Sequence, residues 1–205
     1  MYDVYLLRPG MFISDMSVRS AGYIIAKEFP DAVVCDPYFM TALRKKPDII
    51  MTAWRHSKKA QDPVILSMYR YVCVPINDQN MHWRGAVLDT KTRTIYWYES
   101  LEPEVQMVTR KRGQRLGGAA SALSENALEE LGLLRQWAQA RMEGALWSLE
   151  DGQSPRQVDG NSCGIFMLMN FWNRCSSKAV EFGQDDIDMW RYKWMAACYI
   201  GKMAV

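Results

Sequence analysis

Residues 82–99 read HWRGAVLDTKTRTIYWYE and predict a β-hairpin at the centre of the fold. The segments His82–Asp89 and Thr94–Glu99 are rich in β-branched and aromatic residues, and the polar turn TKTR separates them. A third segment of this kind, Tyr69–Ile76, precedes the hairpin. The three segments together predict a largely antiparallel sheet.

The register of the hairpin determines whether His82 and Glu99 share a face of the sheet. If Asp89 opposes Thr92 across a two-residue turn, His82 lies directly opposite Glu99, with about 5 Å between their Cβ atoms. A four-residue turn shifts the pairing by two and keeps Glu99 on the same face as a diagonal neighbour, whereas an odd turn separates them. A carboxylate beside an imidazole can orient the ring and stabilise the imidazolium, as in a catalytic triad. The alternative is a structural polar pair between two strands.

A second chemical feature is the cysteine that begins an apolar stretch. Cys163 follows the loop PRQVDGNS and opens the segment CGIFMLMNFWNR, which predicts a buried helix. A helix N-terminus and a nearby imidazolium both favour the thiolate, which is the nucleophilic form. Gln157 lies six residues before Cys163, where the loop can fold its amide back beside the sulfur. Together with the backbone N–H of Cys163, that amide would form an oxyanion hole.

Helical segments surround the three strands along the chain. The polar stretch Ala53–Pro63 is predicted as a solvated loop or helix end, the basic stretch Thr109–Gly118 as a flexible loop, and Ala145–Leu149 as a short strand. The pattern predicts one α+β domain over residues 1–205, with an insertion around 109–121. The predicted helices are Met11–Phe29, Pro37–Leu43, Ser124–Met142 with Ser124 as its N-cap, Cys163–Arg174 and Asp185–Ile200.

The composition is that of a globular chain: 205 residues, 49% hydrophobic and 12% aromatic. A net charge of +2 indicates neither a nucleic-acid nor a membrane partner. The longest apolar stretch, Gly164–Met169, is too short to span a bilayer, and the N-terminal residues MYDVYLLRPG lack a secretory signal pattern. We therefore expect an intracellular, monomeric protein of the nucleus or cytoplasm.

Cysteine and histidine usage limits the chemistry further. The five cysteines form no CxxC pair, which argues against disulfides and against a cysteine-rich zinc site. Of the two histidines, His56 is predicted to be an exposed loop residue without a role, which leaves His82. No P-loop, HExxH or Rossmann glycine pattern is present, so no cofactor and no metal are expected. The cysteines other than Cys163 are predicted to be small core residues: Cys35, Cys73, Cys175 and Cys198.

A competing nucleophile is Ser162, because residues 160–164, GNSCG, satisfy the G-x-S-x-G pattern of α/β-hydrolases. In that architecture the histidine follows the serine, but both histidines here precede Ser162. The order His, acid, Ser of trypsin-like enzymes fits, but such a double barrel has many more short strands than this chain. Cys163 is therefore preferred.

These residues resemble the cysteine proteases that act on SUMO and related ubiquitin-like modifiers, which are relatives of the adenovirus protease. The resemblance rests on VPIN followed by His82 and Trp83, on the sequence YESL around Glu99, and on the Q-x-x-G-x-x-C-G pattern of residues 157–164. The acid lies 17 residues after the histidine and the glutamine six before the cysteine, as in that family. Residues 12–15, FISD, are similar to its Trp-Leu-Asn-Asp stretch.

The resemblance implies a papain-like fold with a central mixed or antiparallel sheet, flanking helices and the nucleophile at a helix N-terminus. It implies a thiol protease that cleaves the peptide or isopeptide bond after the C-terminal Gly-Gly of a ubiquitin-like protein, SUMO above all, with that modifier and its conjugates as partners. The implied catalytic residues are Cys163, His82, Glu99 and Gln157. The implied substrate-binding residues are Trp83, Phe12, Asp15 and Gly164, with Trp83 over a narrow channel for the Gly-Gly tail.

Three departures from the family pattern affect specificity more than chemistry. Glu99 stands where SUMO proteases usually carry Asp, although the adenovirus enzyme also uses Glu; Ser162 replaces a common Asp, and Phe12 replaces Trp. Two other functions stay open. One is an acyltransferase built on the same His-Glu-Cys set, and the other is a catalytically weak module that binds the modifier.

Overall fold

The fold was analysed in a computed structural model that describes residues 2–49, 52–53, 62–63, 65–78, 81–101, 125–142, 146–176 and 179–203. Short 3-10 helices cover Tyr2–Leu7, Leu66–Met68 and Gln184–Asp186. The α-helices are α1 Asp15–Glu28, α2 Phe39–Lys45, α3 Glu125–Gln139, α4 Cys163–Cys175 and α5 Ile187–Ile200. The strands are β1 Ala32–Val34, β2 Thr52–Ala53, β3 Asp62–Pro63, β4 Tyr71–Asp78, β5 His82–Asp89, β6 Thr94–Tyr98 and β7 Ser148–Asp151.

The principal sheet has five strands in the order β1-β4-β5-β6-β7. The three central strands are antiparallel neighbours, and the short outer strands β1 and β7 are each parallel to the strand beside them. Strands β2 and β3 form a separate two-residue pairing. The predicted α+β class and the mixed sheet flanked by helices are confirmed.

Two hydrophobic cores lie on the two faces of the sheet, because consecutive strand residues point to opposite faces. Along β4, for example, Cys73 belongs to one core, whereas Val72 and Val74 belong to the other. The first core packs α1, α4 and α5 against the sheet, and the second packs α2 and α3 against it. The largest fully buried side chains include Trp147, Trp190, Trp194, Phe166 and Phe171.

Helix α4 lies against β5 at a position that has no side chain. A Cβ built on Gly85 would come within 2.6 Å of the Phe171 ring and 3.1 Å of the Met167 side chain. A residue other than glycine at position 85 would therefore push α4 away from β5.

Several predicted boundaries are corrected by local chemistry. Helix α1 begins at Asp15 instead of Met11, because the Ser14 hydroxyl accepts a hydrogen bond from the Ser17 N–H at 3.1 Å and caps the helix. The final helix starts at Ile187, after a 3-10 turn over 184–186. The predicted strand Ala145–Leu149 is observed as β7, shifted toward the C-terminus.

Other predictions concern segments that are only partly described. The stretch 53–63, predicted as a loop, contributes Ala53 to β2 and Asp62–Pro63 to β3. The basic segment 109–118, the insertion around 109–121, Ser124 and His56 lie outside the described residues. No helix in the described part of the chain is long and apolar enough to cross a membrane.

Candidate active site

The β5–β6 hairpin brings His82 and Glu99 together through a four-residue turn. Asp89 pairs with Thr94 and Gly85 with Tyr98, and continuing this register places Glu99 opposite Arg84 and diagonal to His82. His82 Nε2 lies 2.8 Å from Glu99 Oε1. The diagonal pairing expected for a four-residue turn is therefore the one observed.

The length of the turn follows from its own side chains. The Asp89 carboxylate accepts hydrogen bonds from the backbone N–H groups of Lys91 and Thr92, at 3.0 and 3.2 Å. Arg93 then takes a left-handed conformation with φ at 55° and leads the chain into β6. The turn thus has an even number of residues, and an even number keeps His82 and Glu99 on the same face of the sheet.

Cys163 is the first residue of α4 and is 1% exposed. Its Sγ accepts a hydrogen bond from the backbone N–H of Trp83 at 3.4 Å, and its thiol is hydrogen-bonded to the His82 side chain. The unpaired N–H groups at the start of a helix stabilise negative charge on such a sulfur. The nucleophile therefore lies between a base and two sources of positive electrostatic potential.

The imidazole of His82 is a strong base in this setting. Burial disfavours its charged form, but hydrogen bonds to Cys163 and Glu99 and the negative charge of both groups outweigh burial and raise the pKa of His82 to about 9. At neutral pH the ring therefore carries a proton. This arrangement is an imidazolium that the Glu99 carboxylate orients beside Cys163.

Gln157 is 5% exposed and lies beside the residue that follows the acid. Its Oε1 accepts a hydrogen bond from the Ser100 hydroxyl at 2.6 Å, and its backbone N–H donates to the Ser100 carbonyl at 2.9 Å. Its Nε2 donates one hydrogen to the Asp159 carbonyl at 2.8 Å. A side-chain amide has two N–H hydrogens, and the second can serve an oxyanion.

The loop before Cys163 is held by Asp159. The carboxylate accepts hydrogen bonds from the backbone N–H and the hydroxyl of Ser162, at 3.0 and 2.6 Å, and from Gln184 Nε2 at 2.8 Å. Burial works against the carboxylate, but these bonds prevail and lower its pKa. The buried Ser162 hydroxyl, bonded to Asp159, helps to hold the loop. Of the two candidate nucleophiles, Cys163 is the one that interacts with the His82 side chain.

Arg191 is a fully buried residue that the sequence analysis overlooked. Its Nη1 donates to the carbonyls of Arg8 and Met11 at 3.0 and 2.9 Å, and its Nη2 donates to the Asn161 carbonyl at 2.8 Å. It therefore ties the N-terminal segment and α5 to the nucleophile loop. The signal in the sequence was an arginine inside the otherwise apolar face of the last helix.

Two of the predicted substrate-binding residues adjoin Cys163, since Gly164 follows it in the chain and the Trp83 backbone N–H bonds to its sulfur. Trp83 is 4% exposed, and its indole N–H donates to the Ile13 carbonyl at 3.0 Å. A Cβ on Gly164 would lie 2.3 Å from the Ile13 side chain and 3.1 Å from the Trp83 ring. Phe12 is half exposed, and Asp15 forms an ion pair with Arg19 at 3.3 Å.

A cavity of about 530 Å³ extends beside Trp83. It brings three of these four residues onto one concave surface, since its lining includes Phe12, Asp15, Trp83, Tyr38 and Arg44. Neither His82 nor Cys163 lines it, so the cavity adjoins the candidate catalytic residues without enclosing them.

The remaining cysteines were predicted to be small core residues. Cys35, Cys73 and Cys175 are buried and Cys198 is partly buried. The Sγ atoms of Cys73 and Cys175 are 3.7 Å apart, and burial raises the pKa of the Cys73 thiol. The part of the chain that the structure describes contains no group of metal-ligating side chains.

Comparisons with known proteins agree with this geometry. Residues 11–112 match the family described as the Ulp1 protease family, C-terminal catalytic domain. Ubiquitin-like-specific protease 1 of Saccharomyces cerevisiae is 24% identical over 184 residues, which is 90% of this chain and 27% of that protein. The chain thus spans about a quarter of the length of this relative.

Two solved structures have a similar fold. The C-terminal Ulp1 protease domain in complex with SMT3, the yeast ortholog of SUMO, superposes with a TM-score of 0.72 at 18% identity, covering 97% of this chain and 81% of that one. The SUMO protease Ulp1 with its catalytic cysteine oxidised to a sulfenic acid gives a TM-score of 0.75 at 19% identity, covering 97% and 82%. The predicted protease fold is confirmed by these matches.

Proposed function

Because this chain belongs to the Ulp1 protease family, we propose that it is a thiol peptidase that hydrolyses the bond after the C-terminal Gly-Gly of a ubiquitin-like modifier. The observation that carries the proposal is the His82 imidazole, hydrogen-bonded to Glu99 through Nε2 and also to Cys163. The class of substrate, a ubiquitin-like protein, is inferred from the matched family and from the similar yeast protease. A SUMO-like protein is the preferred modifier, since the similar Ulp1 protease domain was solved in complex with SMT3, the yeast ortholog of SUMO.

In the proposed reaction the nucleophile is the Cys163 thiolate, and His82 carries the proton. The thiolate attacks the carbonyl carbon of the modifier's terminal glycine, and the backbone N–H of Cys163 and the Gln157 amide stabilise the oxyanion. His82 then donates its proton to the departing amine, which leaves a thioester on Cys163. Water, deprotonated by His82, hydrolyses the thioester and releases the glycine carboxylate and the free thiol.

Access to Cys163 supports a substrate with a slender C-terminus. The indole of Trp83 is fixed by the Ile13 carbonyl, and Gly164 leaves no room for a side chain between Ile13 and Trp83. Cys163 is itself 1% exposed, and a Gly-Gly tail, which has no side chains, suits a buried nucleophile beside such closely packed groups. Phe12 and Asp15 lie on the adjoining cavity, where they can contact the folded part of the modifier.

Modifier probes with a C-terminal electrophile test the proposal. We expect a panel of SUMO, NEDD8 and ubiquitin probes to give a covalent adduct with at least one modifier, located at Cys163 by peptide mass spectrometry. Cys163→Ala should abolish the adduct, and the matched control Cys198→Ala, which changes a partly buried cysteine on α5, should retain it. Absence of an adduct with every probe, or an adduct that survives Cys163→Ala, contradicts the proposal.

Product analysis separates hydrolysis from acyl transfer. A protease releases the modifier with a free glycine carboxylate, whereas an acyltransferase on the same residues would consume acetyl-coenzyme A and acetylate an amine. Turnover of acetyl-coenzyme A without modifier cleavage would favour the second reaction.

A further inference from the structure

Arg84 is a buried charged residue next to the candidate acid and base. It lies two residues after His82 on β5, so the two side chains project to the same face of the sheet. The hairpin register continues to place it directly opposite Glu99. Arg84 is 5% exposed, and a guanidinium at that depth needs charged partners.

Those partners are three carboxylates on three other parts of the chain. Arg84 Nε lies 3.2 Å from Glu99 Oε2 and forms an ion pair with it. The N–H bond does not point at the oxygen closely enough to count as a hydrogen bond. Its Nη2 contacts Asp78 at the end of β4, and its Nη1 lies 3.6 Å from Glu130 Oε2 on α3. Glu130 in turn pairs with Arg44 on α2. The guanidinium is thereby held from several directions and can serve as a fixed support.

Glu99 needs such a support because it lies one residue beyond the end of β6 and has three rotatable side-chain bonds. Its Oε1 interacts with His82 Nε2 and accepts a hydrogen bond from the Leu101 N–H at 2.8 Å. Arg84 is the cation at its other oxygen. Without that partner, rotation of the carboxylate would carry Oε1 away from the imidazole.

The charges around Arg84 also balance in the reactive form of the site. When His82 is protonated, three cations and three carboxylates of the described residues lie in one connected cluster. Removing the Arg84 charge leaves an excess of buried negative charge, which is costly. The cluster consists of Arg44, Arg84, His82, Asp78, Glu99 and Glu130.

We propose that Arg84 is a positioning residue that holds Glu99 in the orientation in which its Oε1 meets His82. The proposal rests on the proposed function, since it concerns the same triad, but part of its test needs no substrate. Arg84 acts through Glu99 and touches neither the substrate nor the reacting sulfur. This chain has Glu99 where the family usually has the shorter Asp, and Arg84 supports this longer side chain.

A double-mutant cycle over Arg84→Gln and Glu99→Gln tests the proposal. Two rates are measured: kcat with KM on a modifier substrate, and alkylation of Cys163 by iodoacetamide at pH 7 in the free protein, with the site identified by mass spectrometry. We expect Arg84→Gln alone to lower both rates about tenfold at nearly constant KM. In the Glu99→Gln background the same change should lower them less than about twofold, because neighbours that act as a unit are not additive.

Two further variants separate positioning from folding. Arg84→Lys keeps the charge and should retain an intermediate rate even if Arg84→Gln unfolds the protein. Arg174→Gln removes another partly buried guanidinium, which donates to the Tyr98 hydroxyl near the far end of α4, and should leave both rates unchanged. An equal tenfold loss in both backgrounds, or Arg84→Lys at the wild-type rate, overturns the proposal. If the alkylation cycle behaves as expected while no modifier is hydrolysed, the proposed function fails and the positioning role stands.

Discussion

The two halves of the candidate site are held in different ways. His82 and Glu99 come from one hairpin, 17 residues apart, and a local register with a four-residue turn sets their contact. Cys163 follows a loop that depends on distant residues, because Arg191, which bonds to the Asn161 carbonyl in that loop, also bonds to carbonyls 183 and 180 residues earlier in the chain. The base and acid are therefore a local structure, whereas the nucleophile's position depends on the tertiary fold. Substitutions in the first half should affect chemistry most, and those in the second half should affect stability most.

The largest expected effect is on chemistry, from Glu99→Gln in the hairpin. An amide cannot stabilise the imidazolium as a carboxylate does, so kcat should fall by about 10³-fold or more. KM should change little, because Glu99 does not line the cavity beside Trp83. The unfolding midpoint at neutral pH should fall, because loss of the carboxylate lowers the pKa of His82 and removes the stability that the charged ring contributes. Steady-state kinetics and thermal unfolding check this, and a loss of activity carried by KM instead of kcat would mean that Glu99 is structural.

In the nucleophile half, Arg191→Gln should destabilise the protein by about 3 kcal/mol, because several buried carbonyls lose a charged donor together. The free energy of unfolding in urea measures the effect. The matched control is Arg141→Gln, which removes an exposed arginine that also donates to three carbonyls, those of Trp137, Asp48 and Ile49. The control should lose less than about 0.5 kcal/mol. Equal losses for the two variants would contradict the dependence of the loop on Arg191.

A smaller loss is expected from Gly164→Ala, at about 1 to 3 kcal/mol, since the added methyl overlaps the Ile13 side chain. Ile13→Val in the same chain should recover part of the stability and of the labelling of Cys163 by the modifier probe. Recovery of stability without labelling would show that the contact supports the fold but not the site.

The smallest effect concerns protonation and is read by NMR, for which two histidines give a simple spectrum. The His82 ring should titrate with a pKa of about 9, and in Glu99→Gln its pKa should fall toward the ordinary value of 6.5. Because the folded pKa exceeds the unfolded one, the stability that the charged ring contributes is complete below pH 6.5 and disappears as the pH rises through 9. Titration of His82 near 6.5 in the wild-type protein would contradict the ion-pair description.

The same difference between local and long-range contacts explains which features of the site could be predicted from the sequence. Alternation along two strands predicts that His82 and Glu99 share a face, because parity survives any even turn. The turn length itself was left open, since it depends on how the Asp89 carboxylate bonds to the backbone. Cys163 at a helix start was also predictable from the apolar run that follows it.

Sequence patterns did not reveal very short strands or contacts between residues far apart in the chain. Strand β1 has three residues, and it forms because β4 offers it a parallel edge. The roles of Arg191 and Arg84 depend on which carbonyls and carboxylates the fold brings to them. For Arg84 a signal was present, since its two-residue spacing from His82 on a strand already places both on one face.

The absent side chain at Gly85 sets the distance between the two halves of the site. From its contact with Phe171, the chain runs back about 12 Å along α4 to Cys163 and about 10 Å along β5 to His82. Helix α4 and strand β5 thus extend over similar distances from this one contact to Cys163 and to His82. A displacement of a few tenths of an ångström between Gly85 and Phe171 would move the sulfur and the imidazole apart by a comparable amount.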